Sequence, residues 1–313
     1  MKEGIIMKKI ALLLAFVTLL LTCACFTSCE SWEDEYCKYV HVTSSISGNE
    51  KKYYSVRDIV NAETVEELVI PVEYDGLPVG GIEEGAFKDC VKLKKVTLPA
   101  SIISIDSGIF NGCTTLEEVV ILAKELNNRD VGSVFKGVGT AEKPVTVKIG
   151  KDVSIIPQSL FKDAANVKIE YDATNTSITV EDYAFTNTAI KNLTVPSSAS
   201  KIGYEAYKNS GIKSVQLKAS GTLQISEKAF ADCETLTTVD ITVSSENVQS
   251  SWIKASVFDG CTQLKEINFS GTQEEWNHMF KVGMSDKPEK VGAPSGYDFK
   301  VICSDGEIEY KNS

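Results

Sequence analysis

The chain has 313 residues, 43% hydrophobic and 24% charged, which suits one or two domains with a hydrophobic core and excludes a disordered tail. Its 43 acidic and 32 basic residues leave a net charge of -11, and the lysines are scattered with never more than two in a row, so no basic patch speaks for nucleic acid as a partner.

At the N-terminus, Met7, Lys8 and Lys9 give a positive start, Ile10 to Leu21 is an apolar run, and CACFTSC follows. The run is shorter than the about 20 residues a membrane span needs, and the pattern is that of a secretion signal. Met7 is a more natural start than Met1. The segment resembles a bacterial lipoprotein signal peptide, in which a cysteine preceded by small residues becomes the lipid-modified N-terminus. Cys29, after Thr27 and Ser28, is the first choice for lipidation and Cys25 the second, although Phe26 departs from the aliphatic preference of that pattern. Residues 1–28 are then the leader. The ESWEDEY run after Cys29 resembles the acidic runs that direct some lipoproteins to the outer face of the outer membrane, and it reads equally as solvated linker. Residues 29–52 are assigned as an acidic and polar linker, membrane attachment being by the lipid anchor only.

From about residue 65 the chain repeats itself. An aromatic recurs at Phe87, Phe110, Phe135, Phe161, Phe185, Tyr207, Phe230 and Phe258, at intervals near 24 residues. Five or six residues beyond most of these, short segments alternate apolar and polar: LKKVTLP, LEEVVIL, IKNLTVP, IKSVQLK, LTTVDIT and LKEINFS. Period two predicts strands with one buried face. VTVKIG and VKIEYD fit the same place less cleanly. The rest of each repeat carries one aliphatic residue, such as Ile82, Ile105, Ile202 or Ile225, before the aromatic and a turn. One strand and one return path per repeat make a solenoid.

These repeats resemble the leucine-rich repeats of BspA-type bacterial surface proteins, in which L-x-x-V-x-L-P is followed by a spacer, I-x-x-x-A-F and x-x-C. The match runs over about residues 65 to 280, and LVIPVEYDGLPVGGIEEGAF is its best instance. The expected fold is a repeat solenoid of leucine-rich repeat type, mostly β, with short strands and with turns or short helical segments on the return path. Its domain limits are 53–280 with end caps. The resemblance implies adhesion to host matrix proteins or to other bacterial cells.

Three residues after the aromatic stand Cys90, Cys113, Val138, Ala164, Thr188, Ser210, Cys233 and Cys261. Every occupant is small, as in a confined core slot where free Cys acts as a small hydrophobe. A shared metal is unsuited: Cys113 and Cys233 lie five turns apart, about 24 Å at strand spacing. Disulfides between neighbours, Cys90 with Cys113 or Cys233 with Cys261, stay open, because adjacent turns bring the backbones close enough. No cofactor is expected.

YYSVRDIVNAETVEEL supplies the N-terminal cover, and SGTQEEWNHMF reads as a capping turn with Trp276 as its plug. Residues 281–313 are read as a Pro/Gly loop and a hairpin turning at Asp305-Gly306, with Cys303 facing inward.

Catalytic residues are not identified. The two histidines, His41 and His278, accompany no nucleophile, no phosphate-binding glycine loop exists, and acidic pairs on a repeat surface are ordinarily solvated. The recognition surface is instead the outward face of the stacked strands: Val69, Thr97, Val120, Lys148, Glu170, Thr194, Gln216, Asp240 and Asn268, flanked by a second column that includes Lys95, Glu118 and Lys168. A protein ligand is the leading partner. A glycan is the alternative, although sugars favour aromatic platforms and the aromatics Tyr183, Tyr204 and Trp252 lie outside the strands.

Overall fold

The computed structural model describes residues 32–46, 49–128, 132–175, 177–190, 192–254, 256–283 and 299–310. The expected leader, with Cys29 as the expected lipidation site and Cys25 as its alternative, lies outside these residues. All described residues form one compact unit.

Most turns of the chain contribute one strand to the outer sheet and one short strand to the return path. The long strands β4 (Glu67–Val69), β7 (Lys95–Leu98), β9 (Glu118–Ile121), β11 (Val145–Ile149) and β13 (Val167–Tyr171) pair in parallel, one turn on the next. Alternation explains them: on β7, Val96 and Leu98 are buried while Lys95 and Thr97 are half-buried. A second set comprises β16 (Ser214–Ala219), β18 (Thr238–Val243) and β20 (Glu266–Phe269), also parallel.

The return path carries two-residue to six-residue strands. One ladder contains β6 (Leu77–Ile82), β8 (Ser104–Ile105) and β10 (Asn127–Asn128), with β5 (Glu73–Tyr74) paired to β6. The other contains β12 (Ile155–Ile156), β14 (Ile178–Val180), β15 (Ala199–Ile202), β17 (Gln224–Ile225) and β19 (Trp252–Ile253). The rest of the return path is turns, with one four-residue helix, α1 (Ser245–Val248).

Inside the stack, in the buried core, runs the aromatic column. Phe87, Phe110, Phe135, Phe161, Phe185, Tyr207, Phe230 and Phe258 are all buried, and successive ring centroids stand 4.7 to 5.8 Å apart. Each such burial is worth about 1.5–3 kcal/mol, reason enough for the recurrence. A third backbone ladder ties the column: Phe87 N–H donates to Ile109 C=O, Phe161 N–H to Ala184 C=O and Phe230 N–H to Val257 C=O. The turn needs a left-handed residue two places after each aromatic, and Asp89, Gly112, Gly137, Asp163, Asn187, Asn209, Asp232 and Gly260 all have positive φ. At Gly112 a Cβ would also overlap the Asp89 carboxylate.

The N-terminal cover is larger than expected. β1 (Trp32–Glu33) pairs with β2 (Cys37–Ile46), which pairs antiparallel with β3 (Asn49–Ile59), and β3 joins the return ladder beside β6. The polar linker read through residue 52 is therefore corrected: from Trp32 the chain is part of the fold. The reason is local. Cys37 and Tyr39 are buried, and the Tyr39 hydroxyl donates to the Asp34 carboxylate at 2.6 Å, so an acid from the supposed linker satisfies a core phenol.

At the other end the predicted capping turn is an 11-residue helix, α2 (Gln273–Gly283). Thr272 and Glu275 form a capping box: Thr272 N–H donates to Glu275 Oε2 at 2.8 Å and Glu275 N–H to Thr272 Oγ1 at 3.2 Å. Trp276 and Met279 are fully buried, and Trp276 Nε1 donates to the Tyr310 hydroxyl at 3.1 Å. The hairpin β21 (Phe299–Cys303) and β22 (Gly306–Tyr310) extends the long-strand sheet from β20. Cys303 on β21 is buried.

Candidate functional site

The outward residues fall in register rows. Val69 pairs with Thr97, Thr97 with Val120, Val120 with Lys148 and Lys148 with Glu170. The second row pairs Lys95 with Glu118, Glu118 with Thr146 and Thr146 with Lys168. Gln216, Asp240 and Asn268 form the corresponding row of the second sheet.

Charges on this face neutralise one another. Glu118 sits between Lys95 at 2.9 Å and Lys148 at 2.5 Å, which together hold its carboxyl below the usual range, Lys148 contributing most. Lys168 pairs with Glu170 at 2.5 Å, and Asn268 donates to Asp240 at 2.8 Å. Exposed pairs of this kind add little stability, about 0–1 kcal/mol each, but they orient long side chains on a rigid sheet.

One predicted strand does not form. IKNLTVP keeps its alternation, with Leu193 and Val195 buried and Thr194 exposed, yet it makes no strand. Asn192 takes a positive φ, and Pro196 offers no N–H, so neither end of the segment supports a ladder. The face is consequently two sheets with a break, and Thr194 lies in that break rather than in a row. There a cavity of about 390 Å3 opens, lined among others by Tyr171, Asp172, Asn175, Thr194, Ser198 and Gln216. The Asp172 carboxylate accepts from Thr174 Oγ1 and Thr174 N–H, which lower its pKa.

The loop aromatics cluster only in part. Tyr183 and Tyr204 meet edge-to-face at 5.5 Å, with Lys162 Nζ 5.9 Å from the Tyr183 ring. Trp252 stands on β19 with Lys254 over its ring at 5.6 Å. Tyr183 holds φ at +58°, an uncommon region for a bulky residue.

The small slot lies inside the column. Cys90, Cys113, Cys233 and Cys261 are buried free thiols, as are Cys37 and Cys303. Cys113, Cys233 and Cys261 donate to the carbonyls of Phe87, Tyr207 and Phe230 at 2.9–3.0 Å, each the aromatic of the preceding turn. Hydrogen bonding to their neighbours Cys90 and Cys233, with burial, pushes the Cys113 and Cys261 thiols upward, and burial pushes Cys37 up to about 12. Thiols raised in this way are poor nucleophiles. Among the described residues no group of three or more His, Cys, Asp or Glu could hold a metal ion, and no helix is long and apolar enough to cross a membrane.

A stack of parallel strands over one aromatic column, closed by distinct end covers, defines a leucine-rich repeat solenoid. Residues 78–168 and 178–281, more than half of the chain, match the family model for the BspA type leucine rich repeat region in six copies, and the chain belongs to that family. Similar solved structures include a leucine rich cell surface protein from Faecalibacterium prausnitzii, 17% identical, covering 81% of this chain and 98% of its own, with a TM-score of 0.31. The T. pallidum leucine rich repeat protein is 17% identical over 86% of this chain and 100% of its own, TM-score 0.35. The pneumococcal vaccine antigen PcpA is 12% identical over 79% and 83%, TM-score 0.40. No curated protein matches the chain.

Proposed function

We propose that this is a non-catalytic recognition protein of the cell surface, held by a lipid on Cys29, whose long-strand face binds a protein on host matrix or on another bacterium. The observation that carries the reading is the pre-organised face itself. Thr97, Val120, Lys148 and Glu170 share one register row, Lys95, Glu118 and Lys168 a second, and Gln216, Asp240 and Asn268 the row beyond the break. Rigid side chains lose little freedom on binding, so a flat polar face can recognise a partner without large anchors. The cleft lined by Tyr171, Asp172 and Gln216, with Thr194 in its wall, offers one recess for a protruding partner side chain.

A glycan-binding reading is favoured by a different observation, the Tyr183–Tyr204 pair on the return path. The two are separated by incubating the immobilised full chain with host-matrix and bacterial surface proteins, in parallel with a glycan array. Saturable retention of one protein, weakened about ten-fold in a Gln216→Arg, Asp240→Arg variant, supports the face. Glycan binding lost in Tyr204→Ala, with no protein retained, overturns it.

A further inference from the structure

The strand β4 is the last of its sheet and pairs only with β7. Lys95 N–H donates to Glu66 C=O at 3.1 Å and Ile70 N–H to Thr97 C=O at 3.2 Å, so residues 66, 68 and 70 direct their main-chain groups to β7. In a parallel ladder alternate residues face opposite sides, which turns the N–H and C=O of Glu67 and Val69 away from the sheet. Among the described residues no strand pairs with that side.

Two further observations say what belongs there. Val69 is 67% exposed and Val72 58%, the largest values among the exposed large hydrophobics. Natural edges are usually blunted, and a pair of bare valines beside open main-chain groups is the opposite of blunting. The local sequence is acidic: Glu63, Glu66, Glu67, Glu73 and Asp75 fall in a stretch with no Lys or Arg between Arg57 and Lys88, and the lysines across on the β7 side, Lys94 and Lys95, are paired with Glu66 and Glu118. Of these five, only Glu66 forms an ion pair among the described residues, with Lys94 at 2.8 Å. A second copy is a poor occupant, because the outer strand at the other end, β22, bears exposed Glu307 and Glu309 and would meet like charge.

We propose that the open side of β4 is a strand-addition site that takes an extended segment of a partner protein, with a basic and an apolar side chain two residues apart on one face. Main-chain bonds to Glu67 and Val69 fix the segment; its apolar side chain covers Val69 and its Lys or Arg meets Glu67. This site lies at the end of the sheet face, whose first row begins at Val69, but the main-chain bonds it uses do not depend on the reading of that face.

The probe is a fluorescein-labelled octapeptide of repeating Thr-Lys-Thr-Val, titrated by anisotropy against the full chain, beside the same peptide with Glu for Lys. The lysine peptide is expected to bind saturably, more weakly with added salt, and about ten-fold better than the glutamate peptide. Val69→Pro removes an outward N–H without touching the ladder to β7 and should weaken binding about ten-fold with the thermal midpoint unchanged. Should that variant fold poorly, Glu67→Lys serves in its place and should reverse the preference between the two peptides. Amide exchange over residues 66–70 should slow on binding. The proposal is overturned if neither peptide saturates, if both bind alike, if Val69→Pro or Glu67→Lys leaves binding as it was, or if sedimentation shows the edge consumed by self-association.

Discussion

The two ends of the solenoid are closed by opposite means. At the start, a hairpin adds strands to the return ladder and buries Cys37, Tyr39, Val56 and Ile59 over the open core, while β4 in the long-strand sheet keeps a bare edge. At the finish, the hairpin extends the long-strand sheet from β20 to a new outer strand, β22, and α2 packs on β19 to cover the return ladder. Each cover also spends one buried polar group differently: Tyr39 donates to a carboxylate, whereas Trp276 donates to a phenol. A stack of identical turns has no intrinsic way to stop, and whichever ladder the cover does not extend remains available to another chain.

The contrast can be broken most severely at the plug. Trp276→Ala empties the site beneath Phe269 and Phe280 and should cost about 3–5 kcal/mol, read as a lower denaturation midpoint with faster amide exchange over 299–310 and little change over 37–59. Tyr39→Phe is the matching change at the start. It removes a bond to a partly exposed carboxylate and should cost about 1–2 kcal/mol, with faster exchange confined to the cover. A global effect from Tyr39→Phe would show that the array unfolds as one unit.

The smallest effect sharpens the comparison by pH. The Glu275 carboxyl is held below the usual range by the Thr272 N–H and by Ser245. A depressed carboxyl stabilises fully above its unfolded value, about 4.3, and that contribution disappears as pH falls through the lower folded value. Glu275→Gln should therefore cost less than about 1 kcal/mol at neutral pH and flatten the midpoint's decline below pH 4. Thermal midpoints from pH 2.5 to 7 check it.

Periodicity made the array legible. An aromatic every 24 residues or so, with alternating valines and isoleucines, leaves one arrangement that buries both, and the small slot follows from the room left beside each ring. The left-handed column was also written in the chain, as Asp, Asn or Gly two places after each aromatic, and a turn-focused reading would have found it. The helix α2 was visible too, as Thr272 and Glu275 three apart ahead of Trp276 and Met279. Strand β2 was harder to see: its buried residues Cys37 and Tyr39 alternate over only a few positions, and Glu33 and Asp34 look like solvated linker until Tyr39 meets Asp34. The broken sheet was misread because IKNLTVP carries the correct apolar pattern; its failure lies in the backbone, at Asn192 and Pro196.

Composition, period and the identity of each slot determined that the chain stacks into a leucine-rich repeat solenoid, because apolar periodicity states which atoms must leave water. Tertiary structure alone decided which edges are sealed, where the face breaks and which charges cancel. Those outcomes depend on main-chain groups and on side chains from turns some two dozen residues apart, and a linear pattern records neither the direction of an N–H nor the distance between a carboxylate and two lysines.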